Sequence, residues 1–239
     1  MPLLALHSVS KSYGALKVTD DITLSVEKGQ TLGILGPNGA GKTTLFNLIS
    51  GDVRVDAGRV EYSGQDITTV PPHMRCRLGI GRSYQVPQPF GHMSVFENLV
   101  TAASFGGGQS EHQAWDTAVH VLEQTGLLPH ANKPAGSLTL LNRKRLELAR
   151  ALATGPELLL LDEPMSGLAH EDIDKVSELI RQASRKCTVL MVEHNLSVVA
   201  NLSDVITVLA RGTVLAEGDY QTVSNDPKVR EAYIGGDYE

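Results

Sequence analysis

The sequence has little cysteine and no motif of closely spaced metal ligands. Its two cysteines, Cys76 and Cys187, are far apart and lack CxxC spacing, which argues against a disulfide framework and a cysteine-bound zinc ion. Its eight histidines show no HExxH-type spacing, so a histidine zinc site is not expected either. No apolar run approaches the roughly 18–20 residues that span a bilayer.

Basic residues are also in the minority, with 21 Lys plus Arg against 27 Asp plus Glu and a formal charge of −6. This balance argues against broad binding to nucleic acid, so no nucleic-acid partner is expected. The first residues lack a basic start, and their apolar stretch is too short for a secretory signal. We therefore expect a cytoplasmic protein that associates with a membrane only peripherally. We also expect it to fold as a single domain over residues 1–239.

The sequence that is present alternates strand and helix patterns, which predicts an α/β fold with a mainly parallel sheet. Short apolar or alternating runs bounded by turn residues predict strands. They lie at 21–27, 31–35, 158–161 and 188–192, with a hairpin formed by 204–209 and 213–217.

Between about 87 and 155 the pattern becomes helical, with helices predicted at 94–104, 111–125 and 142–153. A helical lobe inserted into an α/β core is the simplest account. Trp115 is expected to pack inside this lobe.

One segment matches the phosphate-binding pattern GxxxxGK(S/T) at every fixed position. A buried strand precedes it and a helical segment, 43–49, follows, as a P-loop requires, and Thr44 comes directly after the motif. Glycines let the backbone wrap a phosphate, Lys42 reaches the β- and γ-phosphates, and the Thr43 hydroxyl ligates Mg²⁺. We therefore predict ATP binding by Gly36, Pro37, Asn38, Gly39, Ala40, Gly41, Lys42, Thr43 and Thr44.

A P-loop also needs carboxylates for the metal and the water. The run Leu158–Leu161 is followed directly by Asp162 and Glu163, which places both acids at the end of a buried strand. Asp162 suits Mg²⁺ coordination, and Glu163 suits a general base that polarises the attacking water.

With these motifs, and with Tyr13, Gln85 and His194 in the same order, the chain resembles the nucleotide-binding subunit of ABC transporters over nearly its whole length. The resemblance implies a P-loop NTPase core of the ABC type, with a mixed or parallel sheet, an antiparallel β subdomain and an inserted helical subdomain. It implies that Tyr13 stacks on adenine and that Gln85 links Mg²⁺ and water to the membrane subunit. It also implies that His194 contacts the γ-phosphate.

Three segments, 44–51, 90–99 and 226–235, resemble the branched-chain amino-acid uptake group. The implied protein is an ATPase that energises an importer from the cytoplasmic face of the inner or plasma membrane. Its implied partners are two permease subunits, a second ATPase subunit and, indirectly, a substrate-binding protein. Three arginines that flank the glutamine are assigned to the surface: Arg75, Arg77 and Arg82.

The chain departs from the family where the signature LSGGQ belongs, at Leu138–Asn142. Thr139 keeps a hydroxyl for the γ-phosphate, but Leu140 and Leu141 replace both glycines. Either the helix N-terminus still faces a phosphate across the dimer, or the leucines pack within the lobe and this signature no longer functions. Together with Ala169 in place of an acid or amide, this predicts a heterodimer with the better signature on the partner.

Three other functions fit parts of the pattern. An ATPase of a lipid-type exporter or extractor shares the same core motifs. A soluble ABC protein of translation or DNA repair usually carries paired cassettes or coiled-coil insertions, which 239 residues do not accommodate. A regulatory module that holds ATP without hydrolysing it is suggested by the altered signature but opposed by Glu163.

Overall fold

A computed structural model describes residues 1–234 in two compact units. One contains residues 1–72 together with the chain from Thr188 onward, and we call it the P-loop unit. The other, residues 73–187, is called the inserted unit. Gly235, where the third family-like segment ends, lies outside the described residues.

The strands are β1 (Leu4–Tyr13), β2 (Leu16–Val26), β3 (Thr31–Leu35), β4 (Ala57–Tyr62), β5 (Gln65–Asp66), β6 (Ile80–Ser83), β7 (Leu158–Asp162), β8 (Thr188–Val192), β9 (Val205–Ala210) and β10 (Thr213–Gly218). The helices are α1 (Lys42–Ser50), α2 (Pro72–Arg77), α3 (Val95–Thr101), α4 (Glu111–Gln124), α5 (Leu140–Ala153), α6 (His170–Ser184), α7 (Leu196–Leu202), α8 (Tyr220–Asn225) and α9 (Pro227–Ile234).

The P-loop unit contains an antiparallel sheet with the strand order β2-β1-β4-β5. In β2 the apolar side chains of Ile22, Leu24 and Val26 are buried, and the residues between them are exposed. This alternation is the mark of a strand with one face on a core, and it led to the predicted strand at 21–27. The strand begins earlier than predicted, at Leu16.

The same unit holds β3 between two parallel neighbours. Leu32 pairs with Leu190 of β8 on one side and with Val205 of β9 on the other. All five residues of β3 are buried, as expected for a strand with neighbours on both sides and both faces covered. β9 and β10 form the predicted hairpin, and β3 leads directly into the P-loop.

The inserted unit has a parallel pair, β6 with β7, and a helical core. Buried side chains of α3, α4 and α5 form one apolar cluster that runs from Val95 to Ala153. The chain leaves α3 through a wider helical turn, Ala102–Gly106, where a regular helix to residue 104 was predicted. This cluster lies within the helical lobe predicted at about 87–155. The exact limits of that lobe stay a prediction.

Two outcomes follow for the sequence-based expectations. The α/β class, with parallel pairing plus a separate antiparallel sheet, is confirmed. The expectation for Trp115 is wrong in part, because the residue is 52% exposed, although its ring makes an edge-to-face contact with Phe96 at 5.4 Å between centroids. Within residues 1–234, no helix combines the length and the hydrophobicity needed to cross a bilayer.

Candidate nucleotide-binding and catalytic site

The P-loop joins β3 to α1 through a backbone that depends on glycine. Gly39 and Gly41 have φ angles of 80° and 97°, in the left-handed region that side chains disfavour. A Cβ on Gly41 would also lie 2.6 Å from the Val18 carbonyl oxygen, which no real contact allows. The motif glycines are therefore required by the curvature of the loop.

Lys42 is held inside this curve. Its side chain is buried, and its Nζ donates to the carbonyl oxygens of Gly36 at 2.6 Å and Pro37 at 3.0 Å. An ammonium group fixed beside amide groups at the start of a helix gives a site that attracts an anion. Thr43 is exposed and Thr44 is half-buried in the first turn of α1.

Residues 37–40 of the P-loop line a cavity of about 660 Å³ within the P-loop unit. Arg211, Lys228 and Glu231 are among the other residues that line it. The chain after β9 thus approaches the P-loop. Sequence reasoning missed this neighbourhood, because no motif marks it.

Tyr13 and His194 are both accessible in the P-loop unit. Tyr13 ends β1 with its side chain 47% exposed, and the Lys11 ammonium lies 5.6 Å from its ring centroid. His194 follows β8 and is exposed, while its amide donates to the buried carboxylate of Glu193 at 3.3 Å. Asn195 then caps α7 by accepting from two amides of its first turn. An exposed ring at each position leaves room for a ligand.

The two predicted carboxylates lie at the end of β7 in the inserted unit, and both are buried. Asp162 accepts from Arg82 at 3.3 Å. Glu163 accepts from the Gln85 side-chain nitrogen at 2.5 Å, so the structure brings together two residues that are far apart in sequence. Glu163 also has a φ of 46°, an unusual backbone for a residue other than glycine.

The arginines beside the glutamine were assigned to the surface, and for two of them this is wrong. The side chain of Arg82 is 6% exposed because it reaches Asp162 and stacks on Tyr84, with its guanidinium carbon 4.6 Å from the ring centroid. Arg75 is 2% exposed. Arg77 is exposed as expected.

A second buried acid, Glu147 of α5, lies beside residues 84–88, which contain Gln85 and are called the glutamine segment. Its carboxylate accepts from the Tyr84 amide at 3.4 Å and pairs with Arg150 at 3.1 Å. Burial raises the pKa of Glu147 above its ordinary value, although the Arg150 charge acts in the opposite direction. Arg150 also donates to the Gln88 carbonyl at 2.9 Å, which ties this segment to α5.

The altered signature lies where α5 begins, two residues earlier than predicted. Thr139 is the N-cap of α5, and its hydroxyl accepts from the Asn142 amide. Leu138 is buried in the helical core, but Leu140 is 47% exposed and Leu141 is only partly buried. The alternative in which both leucines pack inside the lobe is therefore wrong, and the helix N-terminus stays accessible at Leu140.

In the sequence, Lys144 is one of three consecutive cations, Arg143–Arg145, at the start of this helix. The structure buries it, with its Nζ 2.6 Å from the carbonyl oxygen of Gln85 and 3.1 Å from that of Glu163. Three cations at the unfavourable end of a helix dipole were the one sequence signal that pointed here.

Known proteins that resemble this chain carry consistent descriptions. A family model described as ABC transporter matches residues 19–166. A second model, described as branched-chain amino acid ATP-binding cassette transporter, matches residues 208–239.

Two relatives align over nearly their whole length. The high-affinity branched-chain amino acid transport ATP-binding protein BraF of Pseudomonas aeruginosa is 34% identical, over 98% of each chain. The probable branched-chain amino acid transport ATP-binding protein LivG of Archaeoglobus fulgidus is 38% identical, over 98% of this chain and 96% of its own.

Solved structures agree with the sequence relatives. The ADP conformation of an ATP-binding cassette of an ABC transporter superposes with a TM-score of 0.87 at 33% identity, covering 98% of this chain and 99% of that one. A nucleotide-free ATP-binding cassette from an ABC transporter gives the same TM-score and identity, with 98% and 100% coverage.

Proposed function

Because this chain belongs to the ABC transporter family, we propose that it is the ATP-hydrolysing subunit of an importer for branched-chain amino acids or related amino acids and amides. Family membership confirms the predicted P-loop NTPase core of the ABC type. The substrate class rests on the relatives, whose names describe branched-chain amino acid transport.

The observation that carries the hydrolytic role is the bond from Gln85 to Glu163, at 2.5 Å. A general base must be oriented before it can take a proton from water, and the Gln85 amide holds one carboxylate oxygen of Glu163. In our proposal the other oxygen polarises the attacking water. Asp162 is the last residue of β7 and Glu163 follows it directly, so the proposed metal-binding carboxylate and the proposed base lie at the same end of this strand.

The P-loop unit supplies the binding of ATP in this proposal. Amides of residues 36–43 and the Lys42 ammonium hold the β- and γ-phosphates, and Tyr13 stacks on adenine. Lys42 and His194 stabilise the charge that develops on the transferred phosphoryl group. Because Lys42 already bonds two loop carbonyls, it exchanges those bonds for phosphate oxygens when ATP enters.

Mg²⁺ is implied by the family, and the chain offers oxygen ligands of the kind that this hard cation prefers. The Thr43 hydroxyl is exposed, and the Gln85 amide uses its nitrogen, not its oxygen, to bond Glu163. These groups and the Asp162 carboxylate would hold the ion, directly or through water. When bound, Mg²⁺ neutralises charge on the phosphates of ATP.

The partners follow from the same proposal. Two ATPase subunits close head to tail around ATP, and each completes the other's site with its signature helix. The accessible N-terminus of α5, capped by Thr139, is the part this chain lends. Because Leu140 and Leu141 crowd that approach, we propose a heterodimer that attaches peripherally to two permeases on the cytoplasmic face of the membrane.

A trapped variant tests this proposal. Glu163→Gln keeps the size and hydrogen bonding of the side chain but removes the base, so the variant is expected to bind ATP and accumulate as a closed dimer. Tagged Glu163→Gln is pulled down with ATP from gently solubilised membranes, and every co-purifying chain is identified by mass spectrometry. We expect two permeases and a second, different ATPase.

The matched control is Glu178→Gln, the same change at an exposed glutamate of α6. This control should turn over ATP like the wild type and should not trap a dimer. Wild-type turnover by Glu163→Gln would remove Glu163 from the role of base. A soluble chain that brings down no membrane protein would contradict the transporter assignment.

The co-purifying permeases also decide between import and export. Permeases of a lipid exporter or extractor would overturn the amino-acid assignment and leave the ATPase assignment intact. ATP binding without turnover in the assembled complex would instead favour a regulatory module, the function that the exposed leucine in the signature suggests.

A further inference from the structure

Lys144 makes bonds that a surface cation would not make. It lies in the second turn of α5 with 6% of its side chain exposed. Its ammonium donates to the Gln85 carbonyl at 2.6 Å and to the Glu163 carbonyl at 3.1 Å. Burial of a charged group is costly unless its donors are satisfied, so these two carbonyls fix where the ammonium can be.

One of these acceptors belongs to a strained residue. Glu163 has a φ of 46°, and a left-handed residue with a side chain persists only where its surroundings hold it. The carbonyl that Lys144 bonds is the carbonyl of this same residue. Lys144 therefore stabilises the backbone conformation that aims the Glu163 side chain.

The two acceptors are also joined directly. Gln85 Nε2 donates to the Glu163 carboxylate at 2.5 Å, so Gln85, Glu163 and Lys144 form a closed ring of three hydrogen bonds. The Gln85 side chain bonds the Glu163 side chain, and the Lys144 ammonium bonds the backbone carbonyl of each of these two residues. A displacement of Gln85 is thereby transmitted to the backbone of Glu163 as well as to its carboxylate.

We propose that Lys144 is a positioning residue for hydrolysis, which holds Glu163 in its reactive conformation and couples it to Gln85. The inference rests on the proposed function, because it takes Glu163 as the base. In this role Lys144 need not contact ATP or the attacking water. It acts on the rate through the orientation of Glu163.

The test compares Lys144→Met with Lys144→Arg in the complex purified with its co-purifying chains. Methionine keeps the apolar stem and removes the ammonium. The turnover number is expected to fall by about 10- to 100-fold, the cost of a small misplacement of a catalytic group. KM and the affinity for ATP should stay within about twofold, because the P-loop residues are untouched.

Lys144→Arg keeps a donor and should recover most of the lost turnover. Lys186→Met, the same change at an exposed lysine, should behave as the wild type. The combination of Lys144→Met with Gln85→Ala should be no slower than the slower single variant, within about twofold, because both act through Glu163.

The outcomes separate the two proposals. Wild-type turnover in Lys144→Met beside an inactive Glu163→Gln overturns the role of Lys144 and leaves the base in place. Equal losses of ATP affinity and turnover, with no recovery in Lys144→Arg, would make Lys144 a structural residue only. Wild-type turnover in Glu163→Gln overturns both proposals.

Discussion

The charged residues around the glutamine segment are held in place by the partners that their buried groups require. The side chains of Arg82, Lys144 and Glu147 are buried, and each has an opposite charge or a carbonyl oxygen as its partner. The sequence offers no direct sign of such partners, because a backbone carbonyl belongs to every residue type. For this reason Arg82 was assigned to the surface. Asp162 and Glu163 could be predicted as site residues because a buried strand directly precedes them.

Glu147 gives a pH-dependent prediction. Its raised pKa means that the folded protein holds the proton more tightly than the unfolded chain does. That stabilising contribution is complete below the unfolded pKa, near 4.5, and is lost as the pH rises through the higher folded pKa. Glu147→Gln removes this loss, so its free energy of unfolding relative to that of the wild type should increase as the pH rises above about 4.5.

Urea unfolding at several pH values measures this difference. Glu178→Gln, at an exposed carboxyl group whose pKa is lowered by its hydrogen bonds to Gln182 and Arg181, should show no such increase. A Glu147→Gln variant that loses stability relative to the wild type as the pH rises would contradict the account. Arg150 keeps its bond to the Gln88 carbonyl in the variant.

At the scale of elements, the strength of the pattern decided what could be predicted. β3 is a run of five buried residues, and it was found with its correct bounds. β1 was missed, because its register shifts between Leu6 and Val9 and again before Ser12, and Ser8 has a φ of 51°. Such irregular pairing removes the alternation that identifies a strand.

The packing of β3 against α7 leads to a second prediction. A Cβ on Gly33 would lie 2.3 Å from Val199 Cγ1 and 2.6 Å from Ser203 Oγ, so α7 must move if one is added. Gly33→Ala should therefore destabilise the protein by about 1–3 kcal/mol. His194 directly precedes Asn195, the N-cap of α7, so a shift of α7 should also displace His194. Since His194 is proposed to stabilise the transferred phosphoryl group, the turnover number should fall more than the affinity for ATP.

Val199→Ala provides the companion variant. Alone it opens a cavity, but combined with Gly33→Ala it removes the closest clash, so the double variant should be more stable than the sum of the single changes predicts. Thermal unfolding of all four proteins measures the coupling. Strict additivity would mean that α7 is not held against Gly33 in solution.

The whole molecule is expected to work as one half of an unequal pair. Its P-loop and carboxylates are complete, but Leu140 is exposed at the helix start that should approach a partner's phosphate. The sequence predicted the asymmetry, which stays a prediction, but it left open whether the leucines at the helix start are accessible or packed inside the lobe. It could not predict the 660 Å³ cavity beside the P-loop, because its walls come from segments far apart in the chain.

Restoring the glycines tests the asymmetry. Leu140→Gly with Leu141→Gly should raise the ATPase rate of the chain purified alone by roughly tenfold, because backbone amides can then reach a phosphate closely. The variant should lose about 1–2 kcal/mol of stability, since glycine disfavours the helix. Leu140→Ala with Leu141→Ala, which removes bulk without adding glycine, separates the two effects. No change in rate would make the leucines irrelevant to hydrolysis.

The order of the chain has a consequence for biosynthesis. β3 leads into the P-loop, yet both of its parallel neighbours, β8 and β9, follow the inserted unit in sequence. On a ribosome, all of residues 73–187 must emerge before β3 can gain either neighbour. The glycine-lined loop therefore has no complete sheet beneath it during most of translation. A nascent chain should become able to retain ATP only once β8 and β9 have emerged, after the inserted unit has had time to fold.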